Sequence, residues 1–249
     1  MLVKALKVEK GDMVVFVGAG GKTSAMKRLA KDLYALGETV IITTTTKIYP
    51  IDGPEYQLSL VGDSEVSSII DSILWERPKI IILGKEINQE GKIVGLDSGR
   101  INGIRSILKD LTILVEGDGA KGKPFKAPRD FEPVIPSRAT MVVPVIGIDA
   151  IGQSLSETNF HGLENICLLT GLKPGEIFLA KDAAAVLLGK DGYQKEVPQF
   201  ARWIPLINKV DNLHDRENAL ELAGILKSSG VEKVILASLK NENKLVEVF

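Results

Sequence analysis

Short runs of β-branched and aliphatic residues alternate along this chain with longer stretches of helical period, and that alternation constrains the fold. A parallel strand buried on both faces reads as a continuous apolar run, and a long crossover must follow before its neighbour begins. Met13-Val14-Val15-Phe16-Val17 is the first such run. Met26, Leu29, Ala30, Leu33 and Tyr34 then recur at the spacing of one helix face, and Gly37 ends the period. Further strands are expected over 39–43, 79–83, 111–115, 140–145, 204–207, 234–237 and 245–248. Helices are expected from Asp63 or Ser64 to Trp75, over 99–108 and over 216–228, with a hairpin around Gln89-Glu90-Gly91. From about 148 to 200 the signal is mostly helical, and the strand after it is expected to return to the same sheet. The 249 residues are thus read as one α/β domain with a mostly parallel sheet and a helical insertion.

Composition narrows the function classes. Apolar residues at 45% and charged residues at 25% fit a globular chain and argue against disorder. A formal charge of -1 gives no support for a nucleic-acid partner held through bulk positive charge. The single cysteine, Cys167, excludes an intrachain disulfide and a Cys-based zinc cluster. No apolar run approaches the roughly 18 residues of a membrane span. The first residues do not read as a secretory signal. A cytoplasmic protein with no membrane partner is expected.

Gly18-Ala19-Gly20-Gly21-Lys22-Thr23-Ser24 lies between the first strand and the first long helix. That context makes it a candidate phosphate-binding loop. Glycines allow positive φ and close approach of backbone N–H groups to phosphate oxygens, and the helix N-terminus adds partial positive charge. Lys22 is expected to reach the β- and γ-phosphates, and Thr23 or Ser24 to offer a hydroxyl to Mg²⁺. The fold expected is therefore a P-loop-NTPase-like three-layer sandwich. The pattern Gly-x-x-Gly-Lys-Thr is two residues shorter than the standard loop and resembles that of Mur ligases and folylpolyglutamate synthetases, which use nucleoside triphosphates.

The apolar run 111–115 ends in Glu116-Gly117-Asp118-Gly119. If the strand continued, the i, i+2 spacing would put both carboxylates on one face. Asp118 is expected on the metal, and Glu116 as a base or water-orienting group. A cationic loop follows, with Lys121, Lys123, Lys126 and Arg129 punctuated by Gly and Pro. It is read as a clamp on the triphosphate or on an anionic second substrate. Thr43 to Thr46 and Lys47 close the second strand, at the edge where open α/β sheets bind ligands. Thr45 and Lys47 are counted with the clamp.

Asn208-Lys209-Val210-Asp211 ends another apolar run. In many GTPases this tetrapeptide reads guanine: the aspartate accepts two hydrogen bonds from the base edge, the lysine stem lies over the ring, and the asparagine bonds the base and neighbouring loops. Adenine presents the wrong donors there. The short loop leans to ATP and this motif to GTP, and the sequence leaves both open. His161, before Gly162 in a polar turn, is a further candidate for substrate contact.

Together, Val17 to Ser24, Thr43 to Ile48, Val115 to Pro128, Glu132 to Pro136 and Leu206 to Asp211 resemble the YqeC-type selenium cofactor biosynthesis family over nearly the whole chain. The lysine-proline loop is the most specific of these blocks. The resemblance implies a role in maturing selenium-dependent molybdenum hydroxylases, with such a hydroxylase or its pterin cofactor as partner. The residues point to a Mg²⁺-dependent NTP-binding protein that is a slow NTPase. A ligase or kinase-like transferase activating an acid or pterin with ATP, and a non-catalytic nucleotide switch, are the alternatives.

Overall fold

A computed structural model describes residues 1–63, 79–240 and 246–249. The helix expected from Asp63 or Ser64 to Trp75, apart from Asp63 itself, and the first residue of the strand expected over 245–248 fall outside them. In chain order the strands are β1 (Met13–Gly18), β2 (Val40–Thr44), β3 (Lys47–Ile48), β4 (Tyr56–Leu60), β5 (Ile80–Gly84), β6 (Glu86–Ile87), β7 (Ile93–Val94), β8 (Thr112–Glu116), β9 (Phe125–Lys126), β10 (Met141–Gly147), β11 (Phe160–His161), β12 (Arg202–Trp203), β13 (Leu206–Asn208), β14 (Ile235–Ala237) and β15 (Val246–Val248). The helices are α1 (Leu2–Leu6), α2 (Lys22–Ala35), α3 (Ser98–Ile107), α4 (Leu163–Thr170), α5 (Ala180–Leu188) and α6 (Leu213–Ser228).

The main sheet runs β15-β14-β13-β10-β1-β8-β2-β5-β4, with β12 also on β10. Its pairings are parallel except that of β14 with β15. Chain order reverses at β1: β2, β5, β4 and β8 lie on one side, and β10, β12, β13, β14 and β15 on the other. Ligands of such sheets bind outside the C-terminal strand ends at that reversal.

Side-chain alternation assigns the two faces. Met13, Val15 and Val17 join one core with Ile101 and Ile104 of α3, Ala183 and Leu187 of α5, and Leu222 and Leu226 of α6. Val14 and Phe16 join the other core with Leu2 and Leu6 of α1 and Met26, Leu29 and Leu33 of α2. This is a mostly parallel three-layer α/β sandwich. The segment 148–200 carries α4, α5 and the short β11, which pairs with β9, and β13 then returns to the main sheet beside β10.

Several strands differ from the sequence reading for physical reasons. The run at 204–207 is displaced: β12 and β13 flank Ile204-Pro205, where proline has no N–H for the ladder. β4 was not expected. It is an edge strand, with Gln57, Leu58 and Leu60 exposed, so it lacks the continuous apolar signature of its neighbours. The hairpin around Glu90-Gly91 forms as β6 and β7.

Candidate functional site

The strand ends define one edge. Gly18 is level with Val145, Phe16 with Glu116, Thr44 with Glu116, and Gly147 with Asn208. That register brings the glycine-lysine loop, the Glu116 strand end and the Asn208 strand end together. A groove of about 1140 Å³ lies there, lined among others by Gly20 to Ser24, Lys47, Glu116, Lys121, Asn208 and Asp211.

The loop is shaped by glycine. Gly18, Gly20 and Gly21 have φ of +94°, +78° and +131°. A Cβ on Gly20 would lie 2.0 Å from the amide nitrogen of Gly147. Gly20→Ala is therefore expected to destabilise the protein by about 2–4 kcal/mol, read by urea unfolding, because the loop must leave β10. A loss below about 0.5 kcal/mol would show that the loop moves freely.

The structure divides the loop amides by role. The N–H of Gly18 donates to both carboxylate oxygens of Asp118 at 3.0 Å. Those of Ala19 and Gly20 donate to the carbonyls of Val145 and Lys123 at 2.9 and 3.0 Å. Gly18, Ala19 and Gly20 therefore shape the loop. Helix bonding starts with Ala25 N–H to the Gly21 carbonyl at 2.9 Å. The amides of the first turn, Lys22, Thr23 and Ser24, remain for an anion.

The two carboxylates separate. β8 ends at Glu116, so the chain does not keep the alternation that would put both on one face. Asp118 is fully buried beneath the loop, 3.1 Å from Lys22 Nζ and 3.2 Å from Lys126 Nζ. It is not among the groove-lining residues. Its oxygens are committed to Gly18 and the two lysines, an arrangement that does not suit the metal role expected for it. Glu116 does line the groove, and Thr23 Oγ1 donates to its Oε2 at 2.9 Å. Burial pushes the Glu116 carboxyl up from the ordinary glutamate range, opposed by the Lys22 charge and the Thr23 hydrogen bond.

The clamp residues also separate. Lys126 is 1% exposed, and its Nζ bonds Glu132 Oε2 and the Gly119 carbonyl, both at 2.8 Å. It holds the loop together and does not reach the groove; Glu132, its partner, has no local signal marking it. Thr45 Oγ1 donates to the carbonyls of Glu116 and Val134, at 3.4 and 3.3 Å, and is likewise absent from the groove lining. Lys47, Lys121 and Lys123 line the groove, whereas Arg129 and His161 line a neighbouring cavity.

At the far strand end, Asn208 is buried and tied twice. Its Nδ2 donates to the Gly20 carbonyl at 2.8 Å, and its Oδ1 accepts from Leu239 N–H at 3.1 Å. Lys209, at φ +66°, pairs with Asp149 at 2.6 Å. Asp211 Oδ1 accepts from Ser238 Oγ, which orients the carboxylate. Ser238 and the groove-lining Lys240 were not expected. Their signal is a hydroxyl and a cation just after a strand, β14, that runs beside β13.

Among the described residues no group of three or more His, Cys, Asp or Glu side chains is placed to hold a metal by itself. Among them, too, no helix is long and apolar enough to cross a membrane. No solved structure matches the chain. A protein of Escherichia coli strain K12 named YqeC is 30% identical over 249 residues, covering 100% of this chain and 96% of the relative. The family model described as YqeC protein matches residues 14–164, which take in the glycine-lysine loop, Glu116 and the cationic loop. The chain belongs to the YqeC family.

Proposed function

We propose that this protein binds GTP with Mg²⁺ in the groove at the C-terminal strand edge and hydrolyses it slowly. Its place would be the maturation of a selenium-dependent molybdenum hydroxylase, the role that the family resemblance implies. The observation that carries the nucleotide reading is the Asn208–Gly20 hydrogen bond at 2.8 Å. It ties the base-reading tetrapeptide to the phosphate loop across 188 residues of sequence, so one ligand can span both.

The first-turn amides of α2 and Lys22 would bind the phosphates. Thr23 and Glu116 would hold Mg²⁺, since both are hard oxygen donors, lie 2.9 Å apart and face the groove. A protein contribution of one carboxylate and one hydroxyl suits Mg²⁺, which takes its other ligands from phosphates and water. The ion would neutralise charge developing on the phosphates. Asp211 would accept the guanine N1–H and exocyclic amine. Lys121 and Lys123 would approach the phosphates from the other wall.

A thermal-shift series with ATP, GTP and CTP, with and without Mg²⁺, tests this reading. A ligand at a hundred times its Kd stabilises the folded state by about 2.7 kcal/mol. GTP with Mg²⁺ is expected to give the largest shift, and a larger shift with ATP would overturn the guanine assignment. Asp211→Asn is expected to move preference from GTP toward XTP, because the amide nitrogen donates where guanine's exocyclic amine also donates, whereas xanthine presents a carbonyl acceptor there. Calorimetry with both nucleotides reads the change, and an unaltered GTP to XTP ratio would remove Asp211 from the base site.

The ATP-dependent transferase reading draws on one observation, a second cavity whose walls share residues with the groove.

A further inference from the structure

Lys121 and Lys123 line two cavities, the nucleotide groove and a neighbour of about 560 Å³. That volume suits a small organic molecule. Lys121 sits at φ +48°, a left-handed conformation uncommon for a side chain of its size. Its ammonium has no ion pair among the described residues. Lys123 Nζ donates to the Thr158 carbonyl at 2.5 Å. The Arg129 guanidinium lies 6.0 Å above the Phe131 ring and has no carboxylate partner among the described residues. Phe131 is 70% exposed, an apolar ring left uncovered at the cavity wall.

The other wall is the start of α4. Gly162 has φ +72°, and a Cβ there would lie 2.6 Å from the Ala127 carbonyl. Only glycine lets α4 begin this close to the Ala127 carbonyl, just after β9. The first helical bond runs from Ile166 N–H to the Gly162 carbonyl at 3.0 Å. The amides of Leu163 to Asn165 are therefore open at a wall of the cavity. His161 lines the same wall, and burial, Lys126, Arg129 and Lys121, in that order, hold its imidazole below the ordinary histidine range. Three cations, Lys121, Lys123 and Arg129, thus meet at one cavity although the chain as a whole carries -1. Asp130, Glu157 and Glu164 also line the cavity. They disfavour a bare polyanion and favour a phosphate monoester whose remaining skeleton is uncharged.

We propose that this cavity binds a small organic phosphate. Arg129, Lys121 and the first-turn amides of α4 take the phosphate, and Phe131 and His161 lie against the carbon skeleton. A dianionic phosphate matches several converging donors better than a single negative charge does. Because Lys121 and Lys123 also face the groove, the bound phosphate lies next to the nucleotide site. Its role as co-substrate rests on the nucleotide reading; its binding does not.

The chain has two histidines, so their ring resonances separate readily. His214, exposed on α6, serves as the internal control. Phenyl phosphate is titrated into the full chain while the imidazole signals are followed by NMR, first with saturating Mg-GDP and then in Lys22→Ala without nucleotide. A saturable shift of His161 with His214 unmoved is expected in both. Arg129→Ala is expected to weaken it at least tenfold, and Lys121→Ala, also an exposed position, several-fold. A His161 signal that does not move overturns the proposal. So does a shift abolished by Mg-GDP or by Lys22→Ala, since the probe would then be reading the phosphate loop. A shift that persists in the wild type when calorimetry shows no Mg-GDP bound to it leaves this site standing and removes the nucleotide reading instead.

Discussion

Replacing Lys22 with alanine is expected to lower Mg-GTP affinity at least about a hundredfold, or roughly 2.7 kcal/mol. A charge-assisted contact to phosphate is worth about 1.5–3 kcal/mol, and truncation also leaves a phosphate oxygen without its donor. In the structure the ammonium is folded onto the Gly18 carbonyl and Asp118, with the side chain only 4% exposed. A triphosphate would compete with Asp118 for it. The variant is expected to stay folded, because Asp118 keeps Lys126 at 3.2 Å and the Gly18 amide at 3.0 Å. Guanosine, which has no phosphate, separates the two contributions: its affinity is expected to match in wild type and variant. Calorimetry showing equal GTP affinity in both would overturn the loop assignment. An equal loss for guanosine would show that the substitution had collapsed the groove.

What was legible in the sequence was local. The run Met13 to Val17, the glycines and Lys22 lie within a dozen residues, and each acts through its own strand, turn or helix. The order of apolar runs likewise carried the sheet, since strands buried on both faces leave little choice of class. The roles of Glu116 and Asp118 were not legible, because their separation depends on β8 ending at Glu116 and on Asp118 turning beneath a loop a hundred residues earlier. Lys126 has the same history. By composition it belongs with Lys121 and Lys123, yet it is buried because Asp118 and Glu132 meet it there. Thr45 is counted with the clamp by its place at a strand end, whereas the structure uses its hydroxyl on the carbonyls of Glu116 and Val134. The clamp reading failed where cations were counted by position, since burial by distant partners has no local signature.

Lys126→Met is expected to destabilise the fold by about 3–5 kcal/mol, the cost of stranding a buried partner charge. The ammonium contacts Asp118 at 3.2 Å, Glu132 at 2.8 Å and the Gly119 carbonyl at 2.8 Å, with its side chain inaccessible to solvent. Methionine fills most of the same volume, so the loss reads electrostatics and hydrogen bonding more than a cavity. The two carboxylates are left unequal. Asp118 retains Lys22 and the Gly18 amide, whereas among the described residues Glu132 keeps only the Arg129 amide at 3.2 Å. Adding Glu132→Gln to Lys126→Met is therefore expected to recover at least about 1 kcal/mol, a coupling readable in a double-mutant cycle of urea midpoints. A Lys126→Met loss under about 1 kcal/mol would show that the carboxylates reach water in this loop. The same substitution also bears on the groove. With Lys126 gone, Lys22 is the remaining ammonium on Asp118, and drawing it toward a triphosphate would leave that carboxylate without a counter-charge. GTP affinity is therefore expected to fall several-fold in a variant that alters no groove-lining residue. Unchanged affinity in the folded variant would mean that Lys22 does not have to leave Asp118 to bind phosphate.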